Sequence, residues 1–225
     1  METAPKPSVL FVYYSYTGQT QKLVDTISEV LRQRGCEVTP AQVDLTDPRY
    51  TERFHHFPMN KPFLQVVLTI PAELRRKPAT ISIPDVVTER EYDFVIVGAP
   101  TWWLSTDVPM RSFLELPTAD KVLKGKPFTA VVACRRYWKH NIKTVRRLGT
   151  KRGGEFHEGI HFRYQGGQVL SLFSLLSYLG TGEYKDKFHG VKIPPTNLRD
   201  YHLEQARTFA SGVADRLVGV GTTTF

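Results

Sequence analysis

The sequence predicts an α/β fold built on a doubly wound parallel sheet. Short apolar runs alternate with amphipathic stretches along most of the 225 residues. One run, Tyr92 to Ala99, is almost wholly apolar, as a strand covered on both faces must be. No internal repeat is visible.

Val9 to Tyr14 reads as the first strand. After a hydroxyl-rich turn, Gln21 to Arg34 takes helical spacing through Leu23, Val24, Ile27, Val30 and Leu31, and Gly35 supplies the stop. Cys36 to Val43 is the second strand. Thr46 to Pro84 is irregular and proline-rich, with room for a short helix between Pro62 and Lys77. A segment of that length is a crossover helix with elaborations or a functional lid. Tyr92 to Ala99 is the third strand. Asp107 and Pro109 then mark a helix start, with Met110, Phe113 and Leu114 on one face and Pro117 past its end. Phe128 to Ala133 is a buried strand, Lys139 to Leu148 a basic helix, and Phe156 to Phe162 a fifth strand. Val169 to Leu179 is apolar and serine-rich and ends at Gly180. Asn197 caps a last helix that turns Leu203, Ala206, Ala210, Val213 and Leu217 inward. One domain is expected over 1–225, with 46–84 and 165–196 as insertions.

Composition narrows the function. Hydrophobic residues make up 41%, and no uninterrupted apolar stretch is long enough to span a bilayer. Met1 to Ser8 lacks the apolar core of a signal peptide. The two cysteines, Cys36 and Cys134, form no Cys-x-x-Cys pair, which argues against a disulfide framework and makes a reducing cytoplasm the simplest home. The net charge of +8 is uneven, because Lys121 to Gly154 contains no acidic residue. Within that block Lys139, Lys143 and Arg147 recur at helical spacing, a row suited to an anionic ligand such as the phosphates of NADPH. Nucleic acid is disfavoured, since a recognised module and interleaved aromatics are lacking.

The most informative motif is Ser15-Tyr16-Thr17-Gly18-Gln19-Thr20, between the first strand and the first helix. Such a turn aims backbone N–H groups and the positive end of a helix dipole at one point, and three hydroxyls, Ser15, Thr17 and Thr20, can join them. The turn holds no lysine and lacks the spacings of triphosphate and dinucleotide loops. It suits a monophosphate held by neutral donors. The plain alternative is an ordinary helix cap with Gly18 for the turn.

Ser-x-Thr-Gly-x-Thr directly after the first strand resembles the FMN phosphate loop of the flavodoxin family. Pro100-Thr101-Trp102-Trp103-Leu104 after the third strand, leading into Phe113-Leu114-Glu115, is similar to the loop that brackets the flavin ring there. A planar ring wants an aromatic wall and backbone donors. Adjacent loop residues point apart, so one of Trp102 and Trp103 is expected at the ring. In the resembling family the loop after the fourth strand, here Cys134-Arg135-Arg136-Tyr137, meets the pyrimidine end. Two arginines at that end would raise the reduction potential; alternatively they are solvated and merely start the basic helix. Cys134 is expected as a small buried strand-end residue rather than a reactive thiol.

The resemblance, with the right-handed crossover rule, implies a flavodoxin-like sheet of five strands in order 2-1-3-4-5. Cys134-Arg135 with Trp138, the run ending Tyr178-Leu179-Gly180-Thr181-Gly182, and Ile193-Pro194-Pro195 resemble a bacterial subgroup labelled dialkylresorcinol condensing enzymes. That label implies a biosynthetic setting; no ketosynthase-type Cys-His-His arrangement supports condensation. The expected function is an FMN flavoprotein that takes electrons from NAD(P)H and passes them to a quinone or other aromatic carbonyl substrate. No side-chain acid or base is assignable, although Tyr137, Arg135 and Arg136 are placed to polarise a substrate oxygen. The alternatives are an electron-transfer flavodoxin, which the acid-free block argues against, and a flavin-free protein using its basic face.

Weaker signals remain. His157 and His161 lie four apart in a strand-like segment, a poor metal spacing, and His55-His56 reads as packing between Phe54 and Phe57. Val169 to Leu179 reads first as a packed helix or the seam of a homodimer. Its other readings are an apolar wall for a lipophilic substrate and a surface dipping into a membrane.

Overall fold

A computed structural model describes residues 5–54, 56–70 and 77–220. Five parallel strands form the central sheet: β1 (Ser8–Tyr13), β2 (Glu37–Gln42), β3 (Phe94–Gly98), β4 (Pro127–Cys134) and β5 (Glu155–Arg163). Their order is β2-β1-β3-β4-β5, the predicted one, and every pairing is parallel. β3 is buried throughout, and β1 and β4 are buried past their first residue, because cores cover both faces of the sheet.

Two helices cover one face. α1 (Gln19–Gln33) buries Leu23, Val24, Ile27 and Leu31, and the C-terminal helix, Asp200–Val220, buries Ala206, Ala210 and Val213 beside them. The other face carries α5 (Val108–Glu115), α6 (Thr118–Leu123) and α7 (Trp138–Lys151). Asp107 caps α5 as predicted, its Oδ1 accepting the Met110 N–H at 2.9 Å. Gly35 ends α1 at φ 94°.

The described residues of the 46–84 segment hold more regular structure than its prolines suggest. They form α2 (Pro48–Phe54) and α3 (Pro62–Val67); a short helix α4 (Val86–Glu89) follows beyond the segment's end. The predicted Pro62 to Lys77 helix is described only in part, because 71–76 lie outside the described residues, as do Met1 to Ala4 and His55. The segment is pinned at its base. Asp47 receives a bidentate contact from Arg49, at 2.8 and 2.6 Å, and the Thr80 N–H at 3.0 Å. The Arg49 contact, followed by the backbone donors, holds the Asp47 carboxyl far below the usual range. Asp44–Leu45, just before the segment, pairs antiparallel with Ile81–Ser82 near its end.

Two predicted boundaries move. The apolar serine-rich run forms α8 (Gln168–Thr181), which ends at Gly182 rather than Gly180; Gly182 takes the left-handed conformation, φ 72°. Asn197 does not cap the last helix. That helix, α9, begins at Asp200, and its preceding N–H, on Arg199, is taken by Nδ1 of His202 at 3.0 Å. The His202 Nε2 side sits 3.0 Å from the Arg163 carbonyl at the end of β5, so the cap also ties α9 to the sheet.

Gly98 sets the spacing at the sheet centre. A Cβ there would lie 2.7 Å from Tyr13 Cβ and 3.4 Å from the Thr20 methyl. Gly98→Ala should therefore cost about 1–3 kcal/mol as overpacking in a site that cannot give way. A denaturant midpoint unchanged from the parent would show that β1 and β3 are packed loosely enough to take a methyl group.

Candidate functional site

The loops after β1, β3 and β4 emerge at one edge of the sheet and line one cavity. Such an edge, where the strand order reverses, is where doubly wound sheets place ligands. From the first loop come Tyr16, Thr17, Gln19 and Thr20; from the second, Pro100, Thr101, Trp102 and Trp103; from the third, Cys134, Arg135, Arg136 and Tyr137. Ser15, Gly18 and Leu104, named with them from sequence, do not line it.

The absence of Ser15 has a physical cause. Its Oγ accepts the Gln21 N–H at 3.1 Å, so it caps α1 from outside the helix. Of the three hydroxyl residues expected there, only Thr17 and Thr20 therefore line the cavity. Gly18 serves the backbone: it stands at φ 74° before α1, and a Cβ there would meet nothing within 4 Å. The first-turn N–H groups of a helix have no intrahelical partners, so those of Gln19 and Thr20 point out of the α1 terminus beside this open turn. The Gln19 side chain is occupied elsewhere. Its Oε1 accepts the Leu198 N–H at 3.0 Å, and its Nε2 lies 3.4 Å from the Tyr178 hydroxyl.

The second loop is a tight hairpin, Thr101–Trp102 against Ser105–Thr106. Both tryptophans line the cavity, where one was expected to point away. Trp103 sits at the tip with φ 50°, a left-handed conformation uncommon for a residue other than glycine. Its Nε1 donates to Thr69 Oγ1 at 3.0 Å, which anchors it to the 46–84 segment. Trp102 stacks on Phe54 at 4.8 Å and meets Tyr14 edge-on at 5.7 Å.

Asn141 holds this hairpin in place, and sequence reasoning missed it. From the buried face of α7 its Nδ2 donates to the Ala99 carbonyl at 3.0 Å and to Thr101 Oγ1 at 2.9 Å. Its Oδ1 accepts from Thr106 Oγ1 at 2.7 Å. The available signal was an asparagine on the inward face of an amphipathic helix, a costly position unless its amide has partners.

In the third loop Cys134 is free and buried, and burial pushes its thiol up to about 12. Arg135 is half-buried; its guanidinium lies 3.4 Å from Ser171 Oγ on α8, and desolvation lowers its pKa. Arg136 is exposed, over the Tyr137 ring at 5.7 Å. Lys139, Lys143 and Arg147 are exposed along α7.

The remaining walls come from the two insertions. Phe54, Met59, Val66 and Thr69 stand on one side, and Leu172, Leu175 and Leu179 of α8 on the other, with Tyr164 between β5 and α8. The insertions are joined to each other, since the Met59 N–H donates to the Leu179 carbonyl at 2.6 Å. They are joined to the first loop by an aromatic chain, Phe54 to Tyr16 at 5.1 Å, Tyr16 to Phe57 at 5.7 Å and Phe57 to Tyr178 at 5.3 Å. Tyr16 also donates its hydroxyl to the His56 carbonyl. The two strand histidines have unrelated partners: His157 packs edge-on to Phe94, and His161 stacks on Trp138 at 3.7 Å.

Solved structures similar to this one share its fold. An FMN complex of a flavoprotein from Lactobacillus acidophilus NCFM aligns with a TM-score of 0.54 at 13% identity, over 70% of this chain and 93% of that one. A flavodoxin from the domain Archaea aligns at 0.51 and 12% identity, over 94% and 99%. Oxidised flavodoxin 2 from Bacillus cereus aligns at 0.51 and 15%, over 93% and 99%. No family model matches the sequence, and no curated protein matches it. The fold is flavodoxin-like.

The state of Cys134 gives a direct prediction. With a thiol near 12 instead of the ordinary 9.0, the folded protein should alkylate at Cys134 about 1,000-fold more slowly at pH 8 than a free cysteine. The unfolded thiol ionises first as pH rises, so this group withdraws stability above about pH 9 and none below it. Labelling of Cys134 in the folded protein at the rate of a model thiol would contradict its burial.

Proposed function

We propose that this protein binds FMN at the shared cavity and is an NAD(P)H-dependent oxidoreductase acting on a quinone or other aromatic carbonyl compound. One observation carries the reading: a hydroxyl-lined helix N-terminus and an aromatic-walled hairpin border one cavity at the sheet's switch point. The flavin would supply hydride and electron transfer at its ring; the chain would supply position and electrostatics.

The residues fit that group. Thr17 and Thr20 and the α1 N–H groups would hold a monophosphate. The turn offers nothing for a second phosphate, so FMN is favoured over FAD. Trp102 and Trp103 would wall the ring, with the Pro100–Thr101 backbone close to its edge. Arg135 would place a half-buried positive charge near the ring, where low solvation strengthens its field. The exposed row Lys139, Lys143 and Arg147 is offered to the phosphates of NADPH.

The insertions favour a substrate of the protein's own. Met59, Val66, Leu172, Leu175 and Leu179 add apolar wall that neither the phosphate nor the ring edge requires. The resemblance to dialkylresorcinol condensing proteins agrees with an aromatic, lipophilic substrate in a biosynthetic setting. An electron-transfer flavodoxin is the second reading, favoured by the similarity of the fold to flavodoxins. A homodimer and a cytoplasmic location remain proposals of the sequence alone.

Steady-state NAD(P)H oxidation with a quinone acceptor separates the two readings, since a shuttle without a reductase partner gives no turnover. Thr17→Ala should weaken FMN by about 1–3 kcal/mol, the cost of a charge-assisted bond. Arg135→Gln should lower the flavin potential by roughly 30 mV, equivalent to about 1.4 kcal/mol in a two-electron couple, and Arg136→Gln should lower it less. Equal potentials in the parent and Arg135→Gln would place that guanidinium away from the ring.

A further inference from the structure

The exposed apolar residues are not scattered. Of the thirteen large hydrophobics exposed among the described residues, nine lie on the segments that also line the cavity. α3 turns Val66 to the cavity and exposes Phe63, Leu64, Val67 and Leu68, at 64%, 49%, 37% and 44%. The hairpin tip exposes Trp103 and Leu104, and the start of α8 exposes Val169 and Leu170. Tyr137 completes the set beside Arg136. Isolated exposed apolar groups are ordinary; a set concentrated around one opening marks a docking face.

Charge says what docks there. Stretches 61–69, 100–106, 134–151 and 163–182 supply this rim, and none of the chain's 22 acidic residues falls in them. They do contain Lys61, Arg136, Lys139 and Arg163, all exposed. A second copy of the same face would bring these positive groups against one another, so like charge disfavours a two-fold dimer through it. Large apolar and aromatic groups interspersed with lysine and arginine, without carboxylates, are the composition of an interfacial membrane contact. No helix among the described residues is long and apolar enough to cross a membrane, so the contact is peripheral.

We propose that this rim seats the protein on an anionic lipid surface, with α3, the Trp103–Leu104 tip and the start of α8 dipping into the headgroup region. The cavity mouth then faces the bilayer, and a lipophilic ligand reaches the apolar wall of Leu172, Leu175 and Leu179 without crossing water. From sequence alone the Val169–Leu179 run read first as packing or a dimer seam. Most of the run does pack, with Ser171, Ser174, Leu176, Ser177 and Leu179 buried, and only its start, Val169 and Leu170, is exposed. The seating does not depend on flavin or on any redox activity.

The test is sedimentation of the full chain with phosphatidylcholine vesicles, with and without phosphatidylglycerol. The protein should bind the anionic vesicles and bind less as salt rises, because exposed charges are screened beyond about 8–10 Å at physiological ionic strength. Phe63→Asp together with Val169→Asp should weaken binding by more than about tenfold, the equivalent of one buried apolar side chain. Neither residue lines the cavity, so FMN affinity, measured separately, should stay at the parent value and also report that the variant is folded. No sedimentation with anionic vesicles would overturn the proposal. So would binding that the double variant leaves unchanged, since basic charge alone would then account for it. A dimer in solution that Phe63→Asp and Val169→Asp dissociate would overturn it too, because the rim would be covered by a second copy.

Discussion

Tyr13, Gly98 and Val131 lie side by side in the parallel register of β1, β3 and β4. These strands are buried on both faces, so a slip of one residue would move whole rows of side chains between two filled cores. The register therefore fixes where the three chains leave the sheet, and it brings their loops to one place. Gly98 is part of this arrangement, because any side chain there would strike Tyr13. The position of Thr20, Trp102 and Arg135 around one cavity follows from strand pairing far more than from contacts among the three.

Loops so placed still need fixing, and each is fixed by a polar group off the central strands. Ser15 caps α1 and frees the remaining first-turn donors to point outward. Asn141 holds both ends of the tryptophan hairpin from α7, and Thr69 holds its tip. Ser171 meets Arg135 from α8. Among the described residues, the half-buried Arg135 guanidinium meets a neutral hydroxyl and no carboxylate. That makes it a natural partner for a ligand's negative edge.

Much of this was legible in sequence because it is local. The apolar runs of β1, β3 and β4, the Ser15–Thr20 turn and the Asp107 cap are each written in a few consecutive residues. What was not legible depends on partners far along the chain. α2 hides in the proline-rich segment because Asp47, which starts it, is held not only by the neighbouring Arg49 but by the Thr80 N–H from across the base of the insertion. Asn197 has the chemistry of a cap, yet His202 takes the role because its ring also reaches the Arg163 carbonyl. Gly180 and Gly182 are equally good stops by composition; the left-handed turn falls at Gly182, after Thr181 bonds back to the Ser177 carbonyl at 2.8 Å. Trp103 was expected to oppose Trp102, but a positive φ at a non-glycine position carries no sequence signature.

The central claim is that the N-terminus of α1 binds a phosphate attached to an aromatic ring. The dissociation constants of FMN and riboflavin, measured side by side on flavin-free protein, test it most directly. The two ligands share the ring and differ in the phosphate. If Thr17, Thr20 and the α1 N–H groups hold that phosphate, FMN should bind about 100-fold more tightly or better, the equivalent of roughly 2.7 kcal/mol from two charge-assisted bonds. Equal affinities, or no binding of either, would contradict the account.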